Sequence, residues 1–347
     1  METKIIGTTT EEVTRAAEII KDGGLVAFPT ETVYGLGADA LNPEAVGKVY
    51  AAKGRPSDNP MIVHISSKSD LSKLTDVITA DMETLMAAFW PGPMTMVVPA
   101  KDIIPRVTTG GLDTVGVRMP SNPIAAELIT LSETPIAAPS ANLSGKPSPT
   151  TYRHVVDDLD GRIDAIIAGG ECEAGIESTV VDMTEDVPSI LRPGVITREM
   201  LSEALGKEVG VDPALLEKPD IFNNNGDGPN GLLETGADFK PKAPGMKYRH
   251  YAPKAEMIIY SGDKQKVQEA MTEEKLKRES EGQKVEIITY DEANVKTAAH
   301  EFFARLRACD KADVDLILAA ALPENGIGFA VMNRMFKSAG YNIKEVK

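Results

Sequence analysis

Cysteine is scarce in this chain: its 347 residues include two, Cys172 and Cys309. Neither has a CxxC partner or a Cys/His cluster beside it, which excludes a zinc-finger framework, and two distant thiols make no disulfide scaffold. Both read as core thiols. Histidines number four, with no Ser-His-Asp or Cys-His arrangement along the chain. Long apolar runs are missing as well, since no window approaches the roughly 20 residues of a membrane span. The stretch METKIIGTTTEEV carries acidic residues early and no basic region before an apolar run, so no signal peptide is read and a soluble, cytoplasmic protein is expected. Positive charge is the last deficit. Lys and Arg total 37 against 52 Asp and Glu, a formal net charge of −15, and such a molecule repels polyanions. A long nucleic-acid groove is therefore disfavoured, whereas a small anion at a local basic site is not.

What is present points to a large globular chain. Hydrophobic residues make up 42% and charged ones 26%, and the length exceeds the roughly 100–200 residues of one domain, so two are expected. Strand-like runs recur at 25–30 (LVAFPT), 60–66, 95–100, 114–120, 135–141, 164–170 and 178–183. Between them lie helical patterns with start and stop signals: Thr9 or Thr10 before EEVTRAAEIIK with Gly23 after it, Asn42-Pro43 before EAVGKVYAAK with Gly54 after it, and SNPIAAELITLS. The class is α/β. Periodicity does not separate hairpins from crossovers, and we take the sheet to be large and mixed. Residues 1–208 read as a first domain and 209–253 as a linker, since NNNGDGPNG favours turns. Residues 254–347 read as a second, smaller Rossmann-like domain with a β-α-β-α-β-α order.

Two segments concentrate polar chemistry. PTETVYGLGADA (29–40) runs into a helix ending AAKGRPSDNP, where Lys53 and Arg55 flank the Gly54 exit and can turn toward one point. A compact ammonium beside a planar guanidinium suits phosphate oxygens, although cations at a helix end also complement the dipole. GLGADA imitates a dinucleotide fingerprint but does not join a strand directly to a helix, and no GxxxxGK[ST] occurs. PIAAPSANLSGKPSPT (135–150) opens from an apolar strand into Ser140, Asn142, Ser144 and Ser148, whose hydroxyls and amides can hold a phosphate or ribose without added charge. Arg118 in TVGVRMP, charged among Val, Val and Met, must face solvent or pair with an anion; singly, Ser178 and Arg192 read as surface groups, and His64 in PMIVHIS reads as a core histidine.

Taken in order, PTETVYGLGADA, KGRPSDNP, PMIVHI, WPGPMT, GVRMP, PSANLSGKPSPT, GIESTVVD and LRPG resemble the YrdC family, while PGMKYRHYAP, FFARLRACD and GIGFAVMNRMFK resemble its longer, Sua-type form. The resemblance implies a YrdC-like twisted α/β domain with a positive cavity, and an L-threonylcarbamoyladenylate synthase joining threonine, bicarbonate and the AMP part of ATP. It implies that Lys53, Arg55, Asn59, Thr114, Ser140, Asn142, Ser148 and Arg192 hold the nucleotide, with Lys53 and Arg55 supplying charge in the reaction. Thr32, His64, Arg118 and Ser178 are to line the threonine end. Mg²⁺ is expected with ATP rather than on a protein cluster. A downstream tRNA threonylcarbamoyl transferase is the implied partner, which would place the product in t6A modification beside the anticodon. Lys247, Tyr248, Arg249 and His250, a basic and aromatic cluster in the linker, suggest a lid over a site that must stay dry. Two other readings compete: a double-stranded RNA-binding module, against which the charge balance argues, and a carbamoyl-transfer domain, which would bring zinc-finger cysteine pairs.

Overall fold

The computed structural model describes residues 2–216 and 250–347. Lys247, Tyr248 and Arg249 lie outside the described residues, and of the four lid residues only His250 is within them. Among the described residues fifteen strands run in chain order: β1 Lys4–Ile6, β2 Val26–Phe28, β3 Gly35–Asp39, β4 Ile62–His64, β5 Met94–Pro99, β6 Thr114–Arg118, β7 Ile136–Ala137, β8 Ala165–Ile167, β9 Thr179–Asp182, β10 Ser189–Arg192, β11 Gly210–Val211, β12 Glu256–Gly262, β13 Val285–Ile288, β14 Leu316–Ala320 and β15 Ile343–Val346. The α-helices are α1 Thr10–Lys21, α2 Pro43–Lys53, α3 Leu71–Leu74, α4 Ala80–Phe89, α5 Pro123–Ser132, α6 Tyr152–Leu159, α7 Arg198–Leu205, α8 Pro213–Leu216, α9 Lys264–Ser280, α10 Val295–Lys311 and α11 Gly326–Ser338.

Eleven strands form one sheet, ordered β1-β8-β2-β3-β7-β4-β6-β5-β9-β10-β11, with β1 and β11 at its margins among the described residues. The sheet is mixed: β2·β3, β3·β7, β4·β7, β5·β6 and β9·β10 are antiparallel, while β1·β8, β2·β8, β4·β6, β5·β9 and β10·β11 are parallel. The first unit continues past residue 208 through β11 and α8. A second sheet, β13-β14-β12-β15, is parallel throughout. GLGAD, which the sequence offered as a loop-like glycine run, is strand β3 itself, so the fingerprint geometry is absent.

Local signals account for the helices that frame the site. Thr9 closes a capping box with Glu12 at the start of α1, and α1 packs with α5 through Val13, Ala16, Ala17 and Ile20 against Leu128 and Ile129. Asn42 caps α2 by accepting from the Glu44 and Ala45 amides, Pro43 sits in its first turn, and Gly54 ends it with φ 63°. That left-handed exit turns the chain out of the helix between Lys53 and Arg55.

The two units share apolar packing. Val33 and Ile176 of the first are buried in one cluster with Tyr251 at the end of the linker and with Phe302, Phe303 and Met332 of the second. Gly175 sits at φ +71°, and a Cβ there would lie 2.3 Å from the His300 carbonyl oxygen, so only glycine lets the two backbones approach this closely. Helix α11 is buried continuously from Ala330 to Ser338. A helix on a surface would show a polar stripe; this one packs against α10 and β12, and its Arg334 reaches Glu177 and Pro193 of the first unit.

Candidate functional site

The turn after β2 begins the site. Thr30 Oγ1 accepts from the Thr32 and Val33 amides, donates to Val33 O at 2.7 Å and stands 2.8 Å from Thr32 Oγ1. This side-chain cap fixes Thr32, which is fully buried. Strand β3 then runs back beside the serine-rich loop, where Gly35 bridges Ser140. Within that loop Ser140 Oγ donates to Asn142 Oδ1 at 2.6 Å, and Asn142 Nδ2 donates to Leu143 O and Lys146 O.

Lys53 reaches this loop from the end of α2. Its Nζ donates to Ser140 O and Asn142 O, each at 2.5 Å, and it is 3% exposed. Burial, and next the Arg55 charge, pull the ammonium well below the usual lysine range. Arg55, half-buried, donates to Pro60 O at 3.0 Å and more weakly to Asn59 O.

One cavity gathers Thr30, Thr32, Lys53, Arg55, His64, Arg118, Ser140, Asn142, Ser144, Lys146, Glu177, Arg192, His250 and Tyr251. Wider clefts of about 680 Å³ and about 480 Å³ lie elsewhere, the first lined by acids and bases in balance around Asp22, Lys48 and Asp164, the second by Ile65, Asp70 and Ile103. Neither concentrates charge of one sign. Arg118 ends β6 with Nη2 2.7 Å from Glu31 Oε1, both side chains buried. Beside it His64 is pushed down to about 3 by burial and by Arg118, so its imidazole is neutral. Among the described residues, His64 Nδ1 and Arg118 Nε make no hydrogen bond although buried, which is the condition a polar ligand relieves. Arg192 donates from Nε to Ser178 O at 3.0 Å and from Nη2 to Ser178 Oγ at 3.1 Å, and burial holds it down to about 10.

The cavity thus brings together eight of the twelve residues expected in the site: Lys53, Arg55, Ser140, Asn142, Arg192, Thr32, His64 and Arg118. Four stand outside its lining. Ser148 Oγ is committed to Glu177 Oε1 at 2.5 Å, and Ser178 Oγ is held between Thr95 Oγ1 and Arg192, so both back the wall. Asn59 is buried behind Arg55, with its carbonyl accepting from Tyr50 Oη. Thr114 opens β6 four residues before Arg118, roughly 13 Å away along an extended strand. Sequence reasoning missed Glu177, Glu31 and Tyr251. Glu177 and Glu31 lie inside motifs already singled out, and an acid amid buried positions is the signal that they pair with cations. Burial alone would raise Glu177, but Arg334, Arg192 and the Ser148 hydroxyl hold it below the usual carboxylate range.

Comparisons with known proteins show what the chain is similar to. The Sua5–YciO–YrdC family model, described as "Telomere recombination", matches residues 18–194, and a model described as "Threonylcarbamoyl-AMP synthase, C-terminal domain" matches 196–340. The threonylcarbamoyl-AMP synthase of Pyrococcus abyssi is 48% identical over 341 residues, covering 95% of each chain. That of Bacillus subtilis is 42% identical over 353 residues, covering 96% of this chain and 95% of its own. The crystal structure of P. abyssi Sua5 complexed with L-threonine superposes with a TM-score of 0.90 at 46% identity, over 99% of this chain and all of the other.

Proposed function

Because this chain belongs to the Sua5–YciO–YrdC family, in the long form with a Sua5-type carboxyl-terminal domain, we propose that it is an L-threonylcarbamoyladenylate synthase. It converts L-threonine, bicarbonate and ATP into threonylcarbamoyl-AMP and pyrophosphate, an adenylyl transfer that supplies t6A modification of tRNA. One observation carries the reading: Lys53, Arg55, Arg118 and Arg192 converge with the Ser140–Asn142 loop on one cavity, in a chain that is acidic elsewhere. Lys53, Arg55, Ser140, Asn142 and Arg192 hold the nucleotide, with Ser148, Asn59 and Thr114 behind or beside them. Thr32, His64 and Arg118 receive threonine, its carboxylate on the Arg118 fork, with Ser178 tying that end to Arg192.

Threonine's amine and bicarbonate condense to a carbamate with loss of water. A carbamate oxygen then bonds to the α-phosphorus of ATP as the bond to the β-phosphate oxygen breaks and pyrophosphate leaves. Both reactants are anions, so the guanidinium groups of Arg55, Arg118 and Arg192, fixed before they arrive, lower the barrier without reorganising, and Lys53 adds its charge by taking up a proton as the nucleotide enters. With His64 pushed down to about 3, no side-chain base is invoked there. Mg²⁺ would come bound to the triphosphate, where it would screen phosphate charge. The described end of the linker supports a dry site: His250 and Tyr251 join the cavity wall, and the Ala252 amide donates to Gly145 O at 2.8 Å. A separate tRNA threonylcarbamoyl transferase is the consumer of the product. Among the described residues no helix is long and apolar enough to cross a membrane.

Pyrophosphate release with ATP, threonine and bicarbonate, each omitted in turn, tests the assignment. Full dependence on all three is expected, and release that persists without threonine overturns it. Serine in place of threonine then reads the selectivity of the amino-acid end.

A further inference from the structure

Helix α11, in the carboxyl-terminal unit, carries Arg334 at 0% exposure. Its Nε donates to Glu177 Oε2 at 3.1 Å and its Nη2 to the Glu177 carbonyl at 3.4 Å, while Nη1 serves Pro193 O and, at 3.1 Å, Ala330 O of its own helix. Three of these four bonds leave the unit that Arg334 belongs to. Their acceptors are the immediate neighbours of Ser178 and Arg192, which are bonded to each other. The second Glu177 oxygen receives Ser148. One guanidinium therefore joins the segments carrying Ser148, Ser178 and Arg192, although it does not itself line the cavity.

We propose that Arg334 is a positioning residue for the synthase reaction, contributed by the carboxyl-terminal unit, which sets the Ser148, Ser178 and Arg192 segments in the arrangement that ATP and threonine meet. The inference rests on the function proposed above and deepens it. Two physical needs are met together. Glu177 lines an anion-binding cavity, where an uncompensated carboxylate would repel a triphosphate, and Arg334 cancels that charge from behind. The two loops also need a common anchor with fixed angles. A planar fork bonded to a carboxylate and two carbonyls on separate chain segments supplies it, whereas a lysine offers one point charge. The smaller domain is then part of the active centre without touching substrate.

The test compares wild type with Arg334→Lys, Arg334→Met, Glu177→Gln and the double variant Glu177→Gln/Arg334→Met, after melting curves establish which are folded. Threonine- and bicarbonate-dependent pyrophosphate release gives kcat and the KM for ATP, and calorimetry gives nucleotide affinity. Arg334→Lys should keep the charge but lose the fork, lowering kcat/KM about 100-fold, since a misplacement of about 1 Å is sufficient for that. Arg334→Met should fall at least as far, and adding Glu177→Gln should restore at least about tenfold, because a neutral amide needs no counter-cation. A purely structural arginine would lower the melting temperature, leave the KM for ATP unchanged in the folded variant and show no such rescue. Arg334→Lys folded and within twofold of wild-type kcat/KM would overturn the proposal, and where Arg334→Met alone does not fold, a folded Glu177→Gln/Arg334→Met variant within twofold of wild-type kcat/KM would do the same. If wild type releases no pyrophosphate with threonine, the proposed reaction fails; the order of nucleotide affinities across the variants still tests the arginine.

Discussion

Lys53→Met separates the charge of the site from its shape. The native amine is buried on Ser140 O and Asn142 O and is held well below the ordinary lysine range by burial and by Arg55. A triphosphate arriving beside it restores the favourable field that burial removed, so binding draws a proton onto Nζ. The sign follows from linkage. The filled site holds more protons than the empty one, so nucleotide affinity falls as pH rises between the two pKa values, by up to tenfold per pH unit for one proton, or about 1.4 kcal/mol. Methionine keeps the volume and takes up no proton. Losing one charge-assisted contact to phosphate costs about 1.5–3 kcal/mol, which is roughly 10- to 150-fold in affinity. The two carbonyls left without a donor are lost in free and bound protein alike, so they weigh on stability more than on binding. Titration calorimetry with a non-hydrolysable ATP analogue, at a series of pH values below the ordinary lysine range and in buffers of different ionisation heat, reads both effects. Wild type should show buffer-dependent heat and the variant less of it, with His250, also held low by burial and its cationic neighbours, as the remaining proton acceptor. A variant that binds within threefold of wild type, or keeps its full proton uptake, refutes the reasoning.

Arg118→Lys should raise the KM for threonine roughly 10- to 100-fold while moving that for ATP less than about threefold, because the fork shared between Glu31 and a carboxylate becomes a point charge; equal effects on both would sink the division of the cavity. Asp158, 2% exposed in its side chain and paired with Arg307 and Lys146, should cost about 3 kcal/mol as Asn in urea unfolding, since the buried Arg307 keeps its bonds to Pro147 O and His154 O but loses its counter-charge; a loss below about 1 kcal/mol would show that the pair is dispensable. Lys337, buried and repelled by Arg334 and Arg192, is brought down to about 7. The unfolded chain keeps the proton that the native amine sheds, so stability should rise between about pH 7 and 8 by up to roughly 1.4 kcal/mol, and Lys337→Met should reduce that slope; an unchanged slope refutes it.

Much of the frame was legible from letters. Thr9, one of the two threonines the sequence offers, and Asn42 cap α1 and α2, because a cap is a local hydrogen bond that short polar side chains announce. Strand β3 was hidden: GLGAD lacks the β-branched residues that mark strands, and its glycines imitate a phosphate loop. Strands β1, β10, β11 and β15 were also passed over, as two to four residues leave little periodicity to read. In the site, the Lys53/Arg55 and Ser140/Asn142 pairs were visible because each lies within three residues. The Glu177–Arg334 pair spans 157 positions, and pairings at that separation are set by tertiary packing. Its trace was an arginine and a lysine inside AVMNRMFKS, where burial obliges a charge to find a partner.

The margins of the wide sheet carry a consequence for how the protein behaves in crowded solution. Among the described residues β1 contributes three residues at one border and β11 two at the other, against six for β5 in the interior. So little unpaired backbone gives a neighbouring molecule almost nothing to zip onto. Lengthening either border by a few β-branched residues should turn a solitary sheet into one that recruits copies of itself into fibrils.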